Sequence, residues 1–356
     1  MKKLTFLGMA LLMLLRLEVL PVCGEPVTPT ASIQNRLERE LFTLPPGKQA
    51  FYGIHMYRIT GDDRYLHAAF YGVYVVANRL DKLAQKLNDQ QAVAFYAAER
   101  NQRLSNKKSE KDRARAAIVE QCPLPVIYAK RLVHGMNRLG EFRLKSIHHE
   151  ALVQRLKTFD FRSCLLNREV IRVWAAQSAN YVYWLQKLGI VDLTVEFHNA
   201  FRAAFPDTED TQLKNWQYTN KIYGMTHIII AASGYYQELI EPEQFQWILD
   251  YFACNVTEIV KRTKPDVIAE VGISFLLAGQ SEHVAVKTCQ HAIVQGIDPQ
   301  QGIIPSVKGG FDLASGEHRN TLALILFNWP ERLHKGPIFP ELPKFLEALP
   351  ATVKPK

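Results

Sequence analysis

The chain has 356 residues, 47% hydrophobic and 22% charged, with a formal net charge of +8. That balance excludes a disordered or fibrous chain and supplies a sizeable core. The excess of positive charge is modest, and no basic run is interleaved with aromatic residues, so nucleic-acid binding has no support.

Residues 1–24 read as an export signal. Lys2 and Lys3 form the positive start, and 4–15 is an apolar stretch short for a membrane span. Val22 and Gly24 suit the −3 and −1 positions of a cleavage site, so the mature chain is expected to start at Glu25 and to keep no membrane span. Arg16 and Glu18 leave an uncleaved anchor as one alternative. Cys23 leaves a lipoprotein as another, although Leu20-Pro21-Val22 lacks the small residues of a lipidation motif. The expected location is periplasmic or secreted, with residues 25–356 as one domain. Oligomeric state is not encoded legibly.

Strand signals are almost absent beyond this point and helix punctuation is dense. Gly61-Asp62-Asp63 separates apolar-periodic segments at 51–59 and 65–87. Residues 107–115 are basic, but Glu110 and Asp112 interrupt them, so a solvated helix face is expected. Pro123 and Pro125 precede a helix at 126–139. His148-His149-Glu150 lacks metalloprotease spacing and reads as an exposed helix start after Ser146. Asp192 opens 193–204, Pro242 opens 243–260, and Pro265 with Asp266 as cap opens 267–277. Asn255 heads a glycosylation sequon that falls in mid-helix. Gly279 and Gly296 sit where helices should stop, and 296–316 is a long connection rich in Gly and Pro. About a dozen helices are expected.

Four stretches without formal charge, at 173–186, 222–237, 271–281 and 320–330, carry the clearest pattern. Arg172, Lys221, Glu270 and Arg319 stand just ahead of them at a constant interval of 49 residues. Such a period marks a helical repeat with one helix pair per unit. Each stretch is followed by an amphipathic segment, at 193–204, 243–260, 282–294 and 342–349. A helix apolar all round is buried all round, whereas one with a single stripe lies outside. The predicted fold is therefore all-α, an α/α toroid of inner and outer helices, or a curved α-solenoid if the ring is open.

Residues 57–66, with Thr60-Gly61-Asp62 and Tyr65-Leu66, resemble the turn common in α/α-toroid carbohydrate-active proteins. The helices carrying Tyr223, Thr226-His227, Asp266, Ala269-Glu270, His318 and Thr321-Leu322 resemble those of an exported bacterial toroid family of unknown function. The resemblance implies the toroid and a pocket, and brings no catalytic motif.

Inner helices running the same way would gather their starts at one mouth. Asn220, Tyr223 and His227 share one helix face, Asp266 and Glu270 are one turn apart, and His318, Arg319 and Asn320 begin a third helix. His227, Glu270 and His318 are the expected acid–base residues. Asn220, Tyr223, Arg319, Asn320, Trp174 and Asn180 are the expected substrate contacts, the last two on a helix whose aromatic faces and amides suit sugar rings. The 296–316 connection is placed to cover the mouth. Glu270 in a buried ion pair with Arg319 or Lys221 is the structural alternative.

No P-loop, dinucleotide fingerprint, nucleophile elbow or Cys/His metal spacing occurs, so neither metal nor cofactor is expected. Cys122, Cys164, Cys254 and Cys289 allow three pairings, with four buried free thiols the simpler expectation and Cys254 beside Cys289 the neighbouring pair to consider. The functional expectation is a protein that binds or processes a saccharide or other polar cell-envelope compound. The alternative is a non-catalytic scaffold.

Overall fold

The computed structural model describes residues 30–106, 109–119, 122 and 124–356. The export signal and Cys23 lie outside the described residues. The helices are α1 (Ala31–Glu40), α2 (Pro46–Thr60), α3 (Leu66–Ala84), α4 (Gln90–Ser105), α5 (Glu110–Val119), α6 (Leu124–Glu141), α7 (His149–Leu156) and α8 (Phe161–Leu165). There follow α9 (Arg168–Lys187), α10 (Thr194–Ala204), α11 (Asn215–Ala232), α12 (Pro242–Arg262), α13 (Pro265–Leu277), α14 (Val284–Gln295), α15 (Leu313–Phe327) and the short α16 (Pro343–Leu346). Two three-residue strands, β1 (Leu144–Ser146) and β2 (Val353–Pro355), pair antiparallel and fasten the C-terminal segment beside the end of α6. The fold is all-α.

The charge-free stretches form α9, α11, α13 and α15. In α13 every residue from Val267 to Leu277 is buried, as an all-apolar surface requires. By contrast α12 buries one stripe, Phe245, Ile248, Leu249, Phe252 and Ile259. α9 packs on α11, α11 on α13, α13 on α15, and α15 on α2; α6 packs on α9. α2 and α6 are joined by the buried Arg58–Glu141 ion pair at 3.0 Å. Outside this succession α10 packs on α9, α12 on α11, α14 on α13, and α3 on α2 and α6. The neighbour sequence returns to its start, which is compatible with a toroid. Gly224 sits where a Cβ would come within 2.5 Å of the Phe201 ring and 2.7 Å of Ala175, so only glycine lets α11 approach α9 this closely.

Three marks of the 49-residue period do the same work. Arg172 donates to the Ala204 carbonyl and pairs with Glu209, Lys221 pairs with Asp207 and Asp210 at 2.7 Å, and Arg319 donates to the Ile304 carbonyl. Each cation fastens a connecting segment to its helix.

Several expectations need correction. α15 starts at Leu313, because Asp312 accepts hydrogen bonds from the Ala314 and Ser315 amides as an N-cap. His318, Arg319 and Asn320 therefore stand in its second turn. Asp266 lies in the first turn of α13 after Lys264 as N-cap. The segment 342–349 forms only the four-residue α16. The basic run is not simply solvated, since Arg115 lies over the Trp174 ring at 4.1 Å. The expectation of four free thiols fails at Cys122 and Cys164, which form a disulfide across 42 residues. α6 and α8 both pack on α9, and that shared neighbour brings the two cysteines together. Cys254 is exposed and Cys289 buried, both unpaired.

Replacing Arg58 by Met leaves the Glu141 charge buried without its deepest partner. The variant should lose about 3–5 kcal/mol of unfolding free energy in urea titration. A loss below about 1 kcal/mol would show that this contact does not hold the helices together.

Candidate functional site

Glu270 is at the centre of the polar groups that α11, α13 and α15 bury. Its side chain is 2% exposed on α13. The Thr226 hydroxyl of α11 donates to Glu270 Oε2 at 2.7 Å. His227 Nε2 lies 3.7 Å from Glu270 Oε1, and His318 Nε2 of α15 lies 4.0 Å from the same oxygen. Three helices, α11, α13 and α15, thus meet at this carboxyl group, and the three expected acid–base residues are brought together.

The hydrogen bonds constrain where the protons sit. Asn180 Oδ1 on α9 lies 2.9 Å from His227 Nδ1. With that amide oxygen accepting, Nδ1 carries the hydrogen and Nε2 turns its lone pair toward Glu270. Thr226 Oγ1 also lies 3.1 Å from the Tyr223 carbonyl, so its one hydrogen serves either that carbonyl or Oε2, while Oε1 faces both imidazoles. Neither His227 Nε2 nor His318 Nε2 makes a hydrogen bond among the described residues.

Burial pushes the Glu270 carboxyl well above the usual carboxylate range; the Thr226 hydrogen bond opposes this and the Asp266 charge adds to it. Burial brings His227 down to about 3, with His318 contributing. Burial likewise brings His318 down to about 4, against the pull of Asp266. Burial thus favours the neutral form of the carboxyl and of both imidazoles, an acid beside two bases.

Aromatic rings wall this centre. Tyr223 meets His227 with ring centroids 4.4 Å apart, and Phe51 of α2 lies 4.8 Å from His318 and 4.0 Å from His55. Tyr236 lies 5.2 Å from His55. It belongs to a turn in which Gly234, Tyr235 and Tyr236 all have positive φ, at 63°, 61° and 67°. Two consecutive tyrosines in that region are a stored cost, of the kind found where a site needs a side chain in one place. His227 is 12% and His318 30% exposed. His318 opens on a cavity of about 300 Å³, lined also by Lys264, Asp266, Arg319 and Pro305–Lys308 of the long connection.

The other expected contacts divide. Asn180 and Tyr223 touch His227. Arg319 lines the cavity, but its Nε and Nη1 are used by the Ile304 and Ser315 carbonyls, leaving Nη2 without a hydrogen bond. Asn220 is buried and donates to the Arg172 carbonyl. Asn320 accepts from the Ile304 amide and donates to the Ile304 and Gly316 carbonyls. Both hold the chain in place, Asn320 through its oxygen and its nitrogen and Asn220 through its nitrogen alone, its buried Oδ1 being without a hydrogen bond among the described residues. Trp174 lies on another face of α9 and lines a separate cavity. Glu270 is paired with neither Arg319 nor Lys221. Thr226, His55, Phe51 and Tyr236 were not singled out as site residues. Thr226 alone had a signal, a hydroxyl beside His227 on an apolar helix. Among the described residues no group of three or more His, Cys, Asp or Glu side chains is placed to hold a metal ion.

The raised folded-state pKa of Glu270 means that its contribution to stability is complete below its unfolded value of about 4.5 and is lost as pH rises through the folded value. Glu270→Gln keeps the shape of the protonated side chain and removes that loss. Unfolding free energies of variant and wild type should therefore diverge in the variant's favour from pH 5 to pH 8, by up to about 1.4 kcal/mol per pH unit. A constant difference across that range would contradict the protonated carboxyl.

Comparison with curated proteins gave no match, and comparison with solved structures gave none. A family match spans residues 27–356, and the chain belongs to the family described as a domain of unknown function, DUF3541.

Proposed function

We propose that the protein is an exported α/α-toroid enzyme, one domain over 25–356, that moves protons on a saccharide or other polar compound of the cell envelope. The observation that carries the reading is the Glu270 carboxyl with two imidazole nitrogens at 3.7 and 4.0 Å, beside a cavity reached through His318. Two buried imidazole Nε2 atoms with no hydrogen-bond partner have little structural reason to face one carboxyl oxygen. Structural ion pairs and core histidines ordinarily have their nitrogens satisfied.

One carboxyl between two imidazoles suits proton abstraction and return better than the paired carboxylates of glycoside hydrolysis. His227 Nε2 takes a proton from substrate carbon, Asn180 holding its ring. Glu270 Oε1 delivers a proton to the departing or receiving atom, and His318 carries the exchange with solvent. Arg319, which lines the cavity, supplies a positive charge suited to an acidic substituent that makes the carbon proton removable. Elimination or epimerisation on an acidic sugar fits these roles.

Export has two supports, the reading of residues 1–24 and the Cys122–Cys164 disulfide, which an oxidising compartment would preserve. No helix among the described residues is long and apolar enough to cross a membrane. Secreted material should begin at Glu25 by mass spectrometry and titrate two thiols when unfolded without reductant. Four thiols would remove the disulfide support for export.

A panel of acidic and neutral polysaccharides, incubated in D2O, tests the chemistry. Deuterium gain at a sugar carbon, or an unsaturated product, is expected with an acidic member. His227→Asn and Glu270→Gln should each lower kcat by about 100- to 10,000-fold with KM little changed. Unaltered rates in both variants would remove these residues from the reaction.

A further inference from the structure

A second cavity, of about 510 Å³, lies where α4, α5, α6 and α9 converge. Five of its lining side chains are cations: Arg100, Arg103, Arg115, Lys130 and Arg131. None of its lining residues is acidic. Only Arg103 has a carboxylate within ion-pair distance among the described residues, namely Glu99. Arg131 donates to the Tyr96 hydroxyl at 2.8 Å, and Lys130 reaches the Cys164 sulfur at 3.2 Å and the face of the Tyr181 ring at 5.5 Å. Arg115 donates to the Val173 carbonyl at 3.0 Å and lies flat over Trp174. At Trp174 the backbone leaves helical geometry, with φ −127° and ψ 32°, so α9 kinks where Arg115 enters its ladder of hydrogen bonds.

This is a costly arrangement for a structural core. Like charges facing one space repel, and burial strengthens the repulsion. Burial and the neighbouring Arg131 hold Arg100 below its usual range, and burial brings Lys130 down to about 8. An anion that entered would relieve every one of these costs together. The remaining wall is aromatic and aliphatic, with the Trp174 ring and Leu104, Ile118 and Ile127. Rings present flat apolar faces to such walls.

We propose that this cavity binds a ring compound carrying two or more phosphate or sulfate groups, at a site separate from the Glu270 centre. The charged groups meet the guanidinium forks of Arg100 and Arg131, and the ring lies against Trp174. Arginine forks match such oxyanions in pairs of hydrogen bonds, which a single ammonium does not.

The test is isothermal calorimetry on the mature protein with inositol hexakisphosphate, a multiply sulfated disaccharide and maltose, supported by tryptophan fluorescence. At least one of the two polyanions should bind, whichever arm responds naming the ester, and maltose should not. Arg100→Gln and Arg131→Gln should each weaken binding at least tenfold, while Lys261→Gln on an exposed face of α12 should change it less than twofold. Should either arginine variant lose its helical circular dichroism, Arg103→Gln at the cavity rim replaces it, with the same expectation. Glu270→Gln should bind as wild type does, so loss of the catalytic reading leaves this one standing. Binding of neither polyanion, or equal weakening in the Lys261 variant, overturns the proposal.

Discussion

Arg58 is a fully buried guanidinium whose hydrogen bonds reach three other parts of the chain. It donates to Glu141 on α6 at 3.0 Å, to the Gly336 carbonyl at 2.9 Å and to the Tyr235 carbonyl at 2.8 Å. A charge without solvent is tolerated only when its donors and its countercharge are supplied. Here the supply comes from α6, from the C-terminal segment and from the turn after α11, so none of the three can shift alone. That turn carries Tyr235 and Tyr236 in left-handed backbone, and Tyr236 forms part of the wall around the Glu270 centre. The junction of α2 with α6 and the shape of the proposed site therefore rest on the same buried ion.

The repeat explains why the proposed site lies on α13. At the marked position Arg172, Lys221 and Arg319 each reach out to a connection and bond its carbonyls or carboxylates. α13 has Glu270 at that place, and its side chain bonds no connecting segment among the described residues. Its partners are instead the Thr226 hydroxyl and the two imidazoles contributed by α11 and α15. A single change of charge in a repeating scaffold converts an anchoring position into a polar centre. Asn220 and Asn320, set near the same level, keep the anchoring role.

The all-α class and the four charge-free helices were legible because helices buried on every side must be apolar on every side. His227, Glu270 and His318 were legible for the converse reason, as titratable groups on otherwise apolar helices. What escaped was set by distance in sequence. The partners of Arg58 lie 83, 177 and 278 residues away, and no local pattern announces them. The start of α15 escaped because Gly316 reads as loop, although Asp312 caps the helix ahead of it. Gly316 also leaves room for the Arg319 side chain, whose Nη2 would lie 2.8 Å from a Cβ there. The inward turn of Arg115 depends on a kink at Trp174 that the apolar run does not reveal.

Every functional role offered for the site depends on the protonation state of one carboxyl. Difference infrared spectroscopy of wild type against Glu270→Gln at pH 7 reads that state directly. The account predicts a protonated carboxylic acid carbonyl band in the wild type that the variant lacks, with both imidazoles uncharged. A carboxylate band in its place would mean an ordinary buried ion pair with His227 or His318, and would contradict the acid–base centre.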